Sequence, residues 1–462
     1  MKLEFTLRQH TPMIHFQSDQ AGATLRATEL KPKLDRYLIE KTFHNNYEEC
    51  KRYLVGYTNK NENALRKKYE EEGFRALDYK VSITELQPVS PDIIKAIEDV
   101  ERIKYKPDKT PMLKKGKPDR FTYPCFFGNM GENDRKLFSI YDTVKLRITS
   151  FYPYIIEILE NNICEFFAIT NFGTRQSKGF GSFYLHEHDA LYKPVSSKWH
   201  FKVDISEPEF DKFRPVPNGE YYQPYRDLEY YKLNYLFKAI ALLYSTIRSG
   251  YNYGGLYFKS LMFMYAKQLD PPQQWDKRTL RESLYSDHET YKEVKRKRTD
   301  PNGTVQYNGG MQSKLLFRDL LGLSTEQDWM KYGAKKTDKN GNTYYDADKM
   351  VKKEIGNEIA RFRSPITFKP IRENGTDKFI VHIFANKIPE EYLGKTFIAK
   401  STTWNTSVNL TIPTDFDINS YLEFCFKAVF KDSNAFKKHI DNNVSDKKAK
   451  LLMSIYDELR KQ

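Results

Sequence analysis

YPYIIEILENNICEFFAITNFGTRQSKGFGSFYLHE, residues 152–187, is the stretch on which the fold turns. Ile155, Ile156, Leu159, Ile163, Phe166 and Phe167 recur at steps of three and four, so 152–169 reads as an amphipathic helix. NFGTRQSKGFG follows as a glycine loop, and SFYLHE as a short strand. In dinucleotide-binding and P-loop folds a strand enters the glycines and a helix leaves them, with its N-terminus facing phosphate. Here the order is helix, glycines, strand, and neither G-x-G-x-x-G nor a GK[ST] ending is present. A nucleoside-triphosphate site is therefore not expected. A helix C-cap accounts for Gly173 alone. Gly179 and Gly181 flank Phe180, and Arg175 and Lys178 stand among them. Glycines let backbone amides approach a phosphate chain, and the two cations would neutralise it. Phe180 is expected to anchor the loop in the core.

Outward from this stretch, Leu3, Phe5 and Leu7 alternate with polar residues and predict a first strand. A polar loop around Gly22 follows. Pro32 is tolerated in a first turn, which places the next helix start near Leu30, with Leu34, Tyr37 and Leu38 down one face. Residues 47–72 read as charged helix, 78–86 as strand and 91–100 as short helix. Residues 102–120 hold eight cations, two acids, three prolines and a glycine, and are expected to be a mobile basic loop. LFSIYDTVKLRIT, 137–149, alternates as a strand. The resulting order is close to the βαββαβ split pattern of a ferredoxin-like (RRM-like) α+β domain over 1–190. Prolines within 191–225 suggest an irregular linker, and 226–462 a helix-rich second domain. In that domain 228–247 and 255–269 read as helices, and 364–371, 378–385 and 404–412 as strands.

The totals narrow the partners. Of 462 residues, 75 are Lys or Arg and 61 Asp or Glu, a net charge of +14 that points to a polyanion such as nucleic acid. An aromatic content of 15% argues for a folded chain. The four cysteines, Cys50, Cys125, Cys164 and Cys425, are scattered without a CxxC. Neither a zinc site nor a disulfide framework is expected, and a reducing cytoplasm suits them. No window of 18 apolar residues predicts a membrane span, and the N-terminus alternates too much for a signal peptide.

Candidate catalytic groups are few. His10 and His15 lie at the ends of a turn, and Asp19 lies in the loop beyond it. His186 and His188 form HEHD with Glu187 and Asp189. An imidazole pair can cleave RNA as base and acid. Surface histidines and a turn aspartate are the plainer readings, and GxSxG and HExxH are absent.

The run GxRxxxGFGSF, here Gly173, Arg175 and Gly179 to Phe183, resembles the glycine-rich loop of the RAMP superfamily of CRISPR-associated proteins. GATLRATELKPKLDRYL, 22–38, resembles that superfamily's first-helix opening, agreeing at Arg26, Ala27, Thr28, Leu30, Lys31 and Leu34. Pro32 stands where glycine is usual, and Asp35 where arginine is usual, with Arg36 one step on. TPMIHF (11–16), FFGN (126–129) and RFRSPITFKP (361–370) resemble further elements of the group. Together they look most like the first-numbered subunit family of the type III-B (Cmr) effector. The resemblance implies two ferredoxin-like domains and a non-slicing subunit of antiviral defence that holds the 3′ part of CRISPR RNA and the guide–target RNA duplex. Its implied partners are CRISPR RNA, target RNA and other Cmr subunits, with no cofactor, metal or membrane. Slicing members of the superfamily are similar in placing an acid where Asp19 stands, and the alternative is a metal-independent endoribonuclease that matures CRISPR RNA or slices target RNA, using His10, His15 or Asp19. The RNA groove is expected to be lined by Arg26, Lys31, Lys33, Arg36, Gly173, Arg175, Lys178, Gly179 and Gly181, extended by Arg361 and Arg363 on a strand face.

Overall fold

The computed structural model describes residues 1–14, 24–88, 141–206, 228–253, 256–258, 260–298, 314–338, 341–428 and 447–462, with short segments between 101 and 139. His15, Asp19, the expected helix at 91–100 and the FFGN element lie outside the described residues.

Leu3, Phe5 and Leu7 are buried along one side of β1 (Lys2–Gln9), as strict alternation requires of a half-buried strand. A helix, α1 (Ala27–Lys41), follows, then β2 (Lys80–Pro88), β3 (Tyr141–Thr149), α2 (Pro153–Ile169) and β4 (Phe183–Leu185). The strands form one sheet in the order β4-β1-β3-β2, every adjacent pair antiparallel. The connectivity is βαββαβ, as the hydrophobic periods predict. Val144, Leu146 and Ile148 of β3 pair with Leu7, Phe5 and Leu3 and point into the same core. The apolar stripe of α2 meets them there, and Phe167 packs edge-on against Phe5 with ring centroids 6.0 Å apart. Each such fully buried Leu, Ile or Phe contributes about 1.5–3 kcal/mol.

α1 begins at Ala27, three residues before the expected start, so Pro32 lies inside it. The proline is exposed, as are Thr28 and Arg36 one turn to either side. The carbonyl that loses its intrahelical partner thus lies on the solvent face, where water replaces the bond. The basic segment 102–120, expected to be a loop, contains paired strand segments. Glu101–Ile103 pairs with Arg120–Thr122, and Leu113–Lys114 with Lys117–Pro118, both antiparallel. A two-stranded ribbon has only edge strands, where a proline's missing N–H does no harm.

The interval 191–225 is also not wholly irregular. Trp199, Phe201 and Val203 alternate inward along β5 (Trp199–Asp204). β5 pairs with Lys378–Ala385, which neighbours Ile366–Arg372, giving a three-stranded sheet in the order β5, Lys378–Ala385, Ile366–Arg372. Contacts accordingly divide the chain differently from a cut at 191–225. One unit holds 1–240, 367–384 and Gln462; the other holds 241–366 and 385–461. In chain order β5 is followed by helix α3 (Leu228–Arg248), and the other two strands come only after further strands and helices. The expected helix at 255–269 is shorter at its front. Leu256–Phe258 pairs with Tyr251–Tyr253, and the helix Leu261–Gln268 begins after Ser260, whose Oγ accepts from Phe263 N at 3.2 Å.

In the second unit Glu326–Trp329, Asp348–Glu354, Thr396–Ser401 and Ser407–Thr411 form a sequential antiparallel sheet. Only the last of these strands was visible as a period in the sequence. No described helix is long and apolar enough to cross a membrane.

Candidate nucleic-acid interface

Asn171 and Ser182 pair across the neck of the glycine loop, and Phe172 N donates to Gly181 O at 3.0 Å. The bend between them needs left-handed backbone at Gly173 (φ 77°), Gly179 (φ 85°) and Gly181 (φ 64°). A Cβ at position 181 would lie 1.9 Å from the Phe172 carbonyl oxygen, so only glycine closes this neck. Arg175 is also left-handed, with φ 55°, at the exposed turn of the loop. Non-glycine residues hold that conformation only where their surroundings fix it.

Three segments of the first unit fix it. From the end of the first strand region, Thr11 Oγ1 donates to Gly179 O (2.6 Å) and accepts from Ser182 N (2.9 Å). From α1, Glu29 Oε1 accepts from Gly173 N (2.8 Å) and from Lys33 Nζ (2.9 Å). Lys33 Nζ reaches Asn171 O as well, at 3.0 Å. From Ile366–Arg372, Phe368 O accepts from Asn171 Nδ2 (2.8 Å) and Pro370 O from Ser182 Oγ (2.7 Å). Beneath the loop Phe180 is buried, its ring stacked on Phe237 at 3.8 Å, which is the anchoring role expected of it.

Lys369, fully buried, ties the base of the loop. Its Nζ donates to Thr170 O (2.8 Å) and Phe183 O (2.7 Å), the residues just outside the two ends. Burial, and secondarily the Lys33 ammonium, hold its pKa well below the ordinary lysine value. A neutral amine still donates two hydrogens, the number of carbonyls it meets. The unfolded chain keeps this proton up to about pH 10.4. Between the folded pKa and that value the unfolded state binds more protons, so stability rises with pH. Thermal unfolding of Lys369→Met across this range should lose that slope and start from a lower stability, since two buried carbonyls lose their donor.

The expected site residues divide. Arg26 is the N-cap of α1, its carbonyl accepting from Glu29 N and Leu30 N, and the same helix end meets the loop at Gly173 through Glu29. Lys31 does not share that face. Its Nζ donates to Asp35 Oδ2 (2.7 Å) and Leu77 O (2.8 Å) and lies 4.3 Å above the Tyr79 ring. Residues two apart on a helix point to nearly opposite sides, so Lys31 and Lys33 do not line one groove. Asp35 is buried as Lys31's partner, and burial raises its pKa. Arg36 is exposed and donates to Pro32 O at 3.2 Å. Lys178 joins Phe368 in a parallel bridge. Arg175 has no ion pair among the described residues. Arg361 and Arg363, expected on a strand face, are exposed in irregular chain before the strand that starts at Ile366, and belong to the second unit.

Half-buried His186 and exposed His188 lie beyond the end of β4, ring centroids 5.1 Å apart. Among the described residues no group of three His, Cys, Asp or Glu is placed to hold a metal. The loop's braces Thr11, Glu29, Asn171, Ser182 and Lys369 lie within or beside runs singled out in the sequence, but no motif in those runs marks them as braces. A lysine inside the otherwise apolar run ITFKPI is the visible anomaly that marks the last, since lysine is almost never fully buried without a task.

Two family models match the chain: the Cmr1 N-terminal domain over residues 1–251 and the Cmr1 C-terminal domain over 257–449. The α+β architecture with this glycine loop is thus that of a RAMP-type, CRISPR-associated protein. No curated protein matches the chain. It belongs to the Cmr1 family, a subunit of the multi-protein type III-B Cmr effector complex.

Proposed function

We propose that the chain is a non-catalytic RNA-binding subunit of its Cmr complex, acting in cytoplasmic antiviral defence. The loop Asn171–Ser182 serves as a seat for the ribose–phosphate chain of the 3′ part of CRISPR RNA, where guide pairs with target. The observation that carries this reading is Arg175: exposed, left-handed, without a carboxylate partner among the described residues, and mounted on backbone braced from three segments. A cation offered on a fixed bend, on a chain of net charge +14, suits a phosphate backbone. Reading by base pairing needs only such backbone and shape contacts from the protein. On this reading the first sheet is a ferredoxin-like domain, and the three-stranded sheet is the core of a second one.

The test is guide RNA affinity against salt. Arg175→Glu should weaken binding about tenfold; Lys178, whose ammonium is buried, is not part of the test. The slope of log K on log salt should shrink by roughly 0.7 for each single-strand phosphate that is no longer neutralised. Undiminished binding in Arg175→Glu overturns the proposal. Specific cleavage of repeat RNA by the purified chain would overturn its non-catalytic part.

A further inference from the structure

Phe151 is 95% exposed, the most exposed of the large apolar side chains described. It lies between β3 and α2, held from both sides: Ser150 O accepts from the Met1 amino group at 2.7 Å, and Pro153 starts α2. The ring is therefore presented on fixed backbone. Next to it in sequence, Tyr152 and Tyr154 pack on Tyr53 with centroids 5.5 and 5.3 Å apart, and Tyr154 also meets Phe43 at 6.3 Å. Tyr154 itself is 41% exposed. A solvated aromatic set on a rigid aromatic base has the composition of an interface centre.

The charges around it select the occupant. The exposed residues of α2 are Pro153, Tyr154, Glu157, Glu160, Asn161 and Glu165, a stripe at steps of three and four. The helix contains no Lys or Arg, on a chain with 75 of them. Glu165 pairs with Lys41, whereas Glu157 and Glu160 have no cationic partner among the described residues. RNA is repelled by this stripe. A two-fold pairing with a second copy would set the same carboxylates against each other.

We infer that Phe151 and the acidic face of α2 form a docking surface for another protein subunit of the Cmr complex, one presenting an apolar pocket rimmed by Lys or Arg. The inference rests on family membership and does not require the RNA reading of the glycine loop. The test is co-expression of the full chain with the remaining subunits of its own complex, with recovery of those subunits measured. Phe151→Asp should reduce recovery at least about tenfold, in keeping with a central aromatic anchor. Glu157→Lys/Glu160→Lys should reduce it as well. The circular dichroism and the RNA affinity of the isolated variants should match the parent chain. Wild-type recovery with Phe151→Asp overturns the inference. So does a fall in RNA affinity, which would make the ring a base-stacking platform. A dimer of the isolated chain that Phe151→Asp dissolves would assign the surface to a second copy and overturn it equally.

Discussion

Gly181→Ala should destabilise the first unit by about 4 kcal/mol or more, at the extreme of single substitutions. The added methyl would sit 1.9 Å from the Phe172 carbonyl oxygen. That oxygen has little room to retreat. Phe172 N is bonded to Gly181 O, and Asn171 beside it is fastened to Gln176 O and Phe368 O. Left-handed backbone at alanine adds only about 1–2 kcal/mol. Gly375 separates the two causes, because it has the same φ of 64° with nothing within 4 Å of its would-be Cβ. Gly375→Ala should therefore cost only the conformational part. Equal midpoints for the two variants in thermal unfolding would refute the clash. If the loop seats RNA, Gly181→Ala should also lower guide affinity at temperatures where the chain remains folded, and Gly375→Ala should not.

The second large effect is expected in the buried charges of the second unit. Arg318 Nε donates to Asp276 Oδ1 (2.7 Å) and its backbone N to Asp276 Oδ2 (3.1 Å). Asp319, next along, accepts from Lys352 Nζ and lies 3.5 Å from Arg248 Nη2. Its backbone carbonyl takes the Tyr392 hydroxyl at 3.0 Å. The Lys352 side chain is 1% exposed and that of Asp319 2%. Asp319→Ala leaves an ammonium in the interior without its counter-charge, which costs about 3–5 kcal/mol and lowers the unfolding midpoint by roughly 6–20 °C. Asp319→Ala/Lys352→Met removes both charges and should recover much of that loss. A double variant no more stable than Asp319→Ala alone would show that the pair is not what the network depends on.

The largest part of the first unit was legible in the sequence because its signals are local. Alternation in 2–9 and 141–149, and the three-four step in 153–169, each follow from the geometry of one element burying one face. The βαββαβ order and the identity of the glycine bend came with them. Trp199–Asp204 was not legible because six residues of alternation are a weak signal beside prolines. Its partner, Lys378–Ala385, lies more than 170 residues away. The strands at 326–329 and 348–354 were hidden because they are rich in charge, and 396–401 because six residues are a weak period.

The sequence by itself determined that this protein is a basic α+β chain whose second helix runs into a loop that must turn left-handed, since glycine spacing and hydrophobic period are properties of a few consecutive residues. Tertiary structure alone decided which cations are displayed and which are spent. Lys31 and Lys33 look alike in sequence, yet one is held by Asp35 and Leu77 and the other braces the loop through Glu29 and Asn171. It also put Lys369 beneath the loop from nearly 200 residues downstream. A charge is available to a ligand only when folding leaves it without a nearer partner, and the nearer partner is set by distant pairing that no local pattern records.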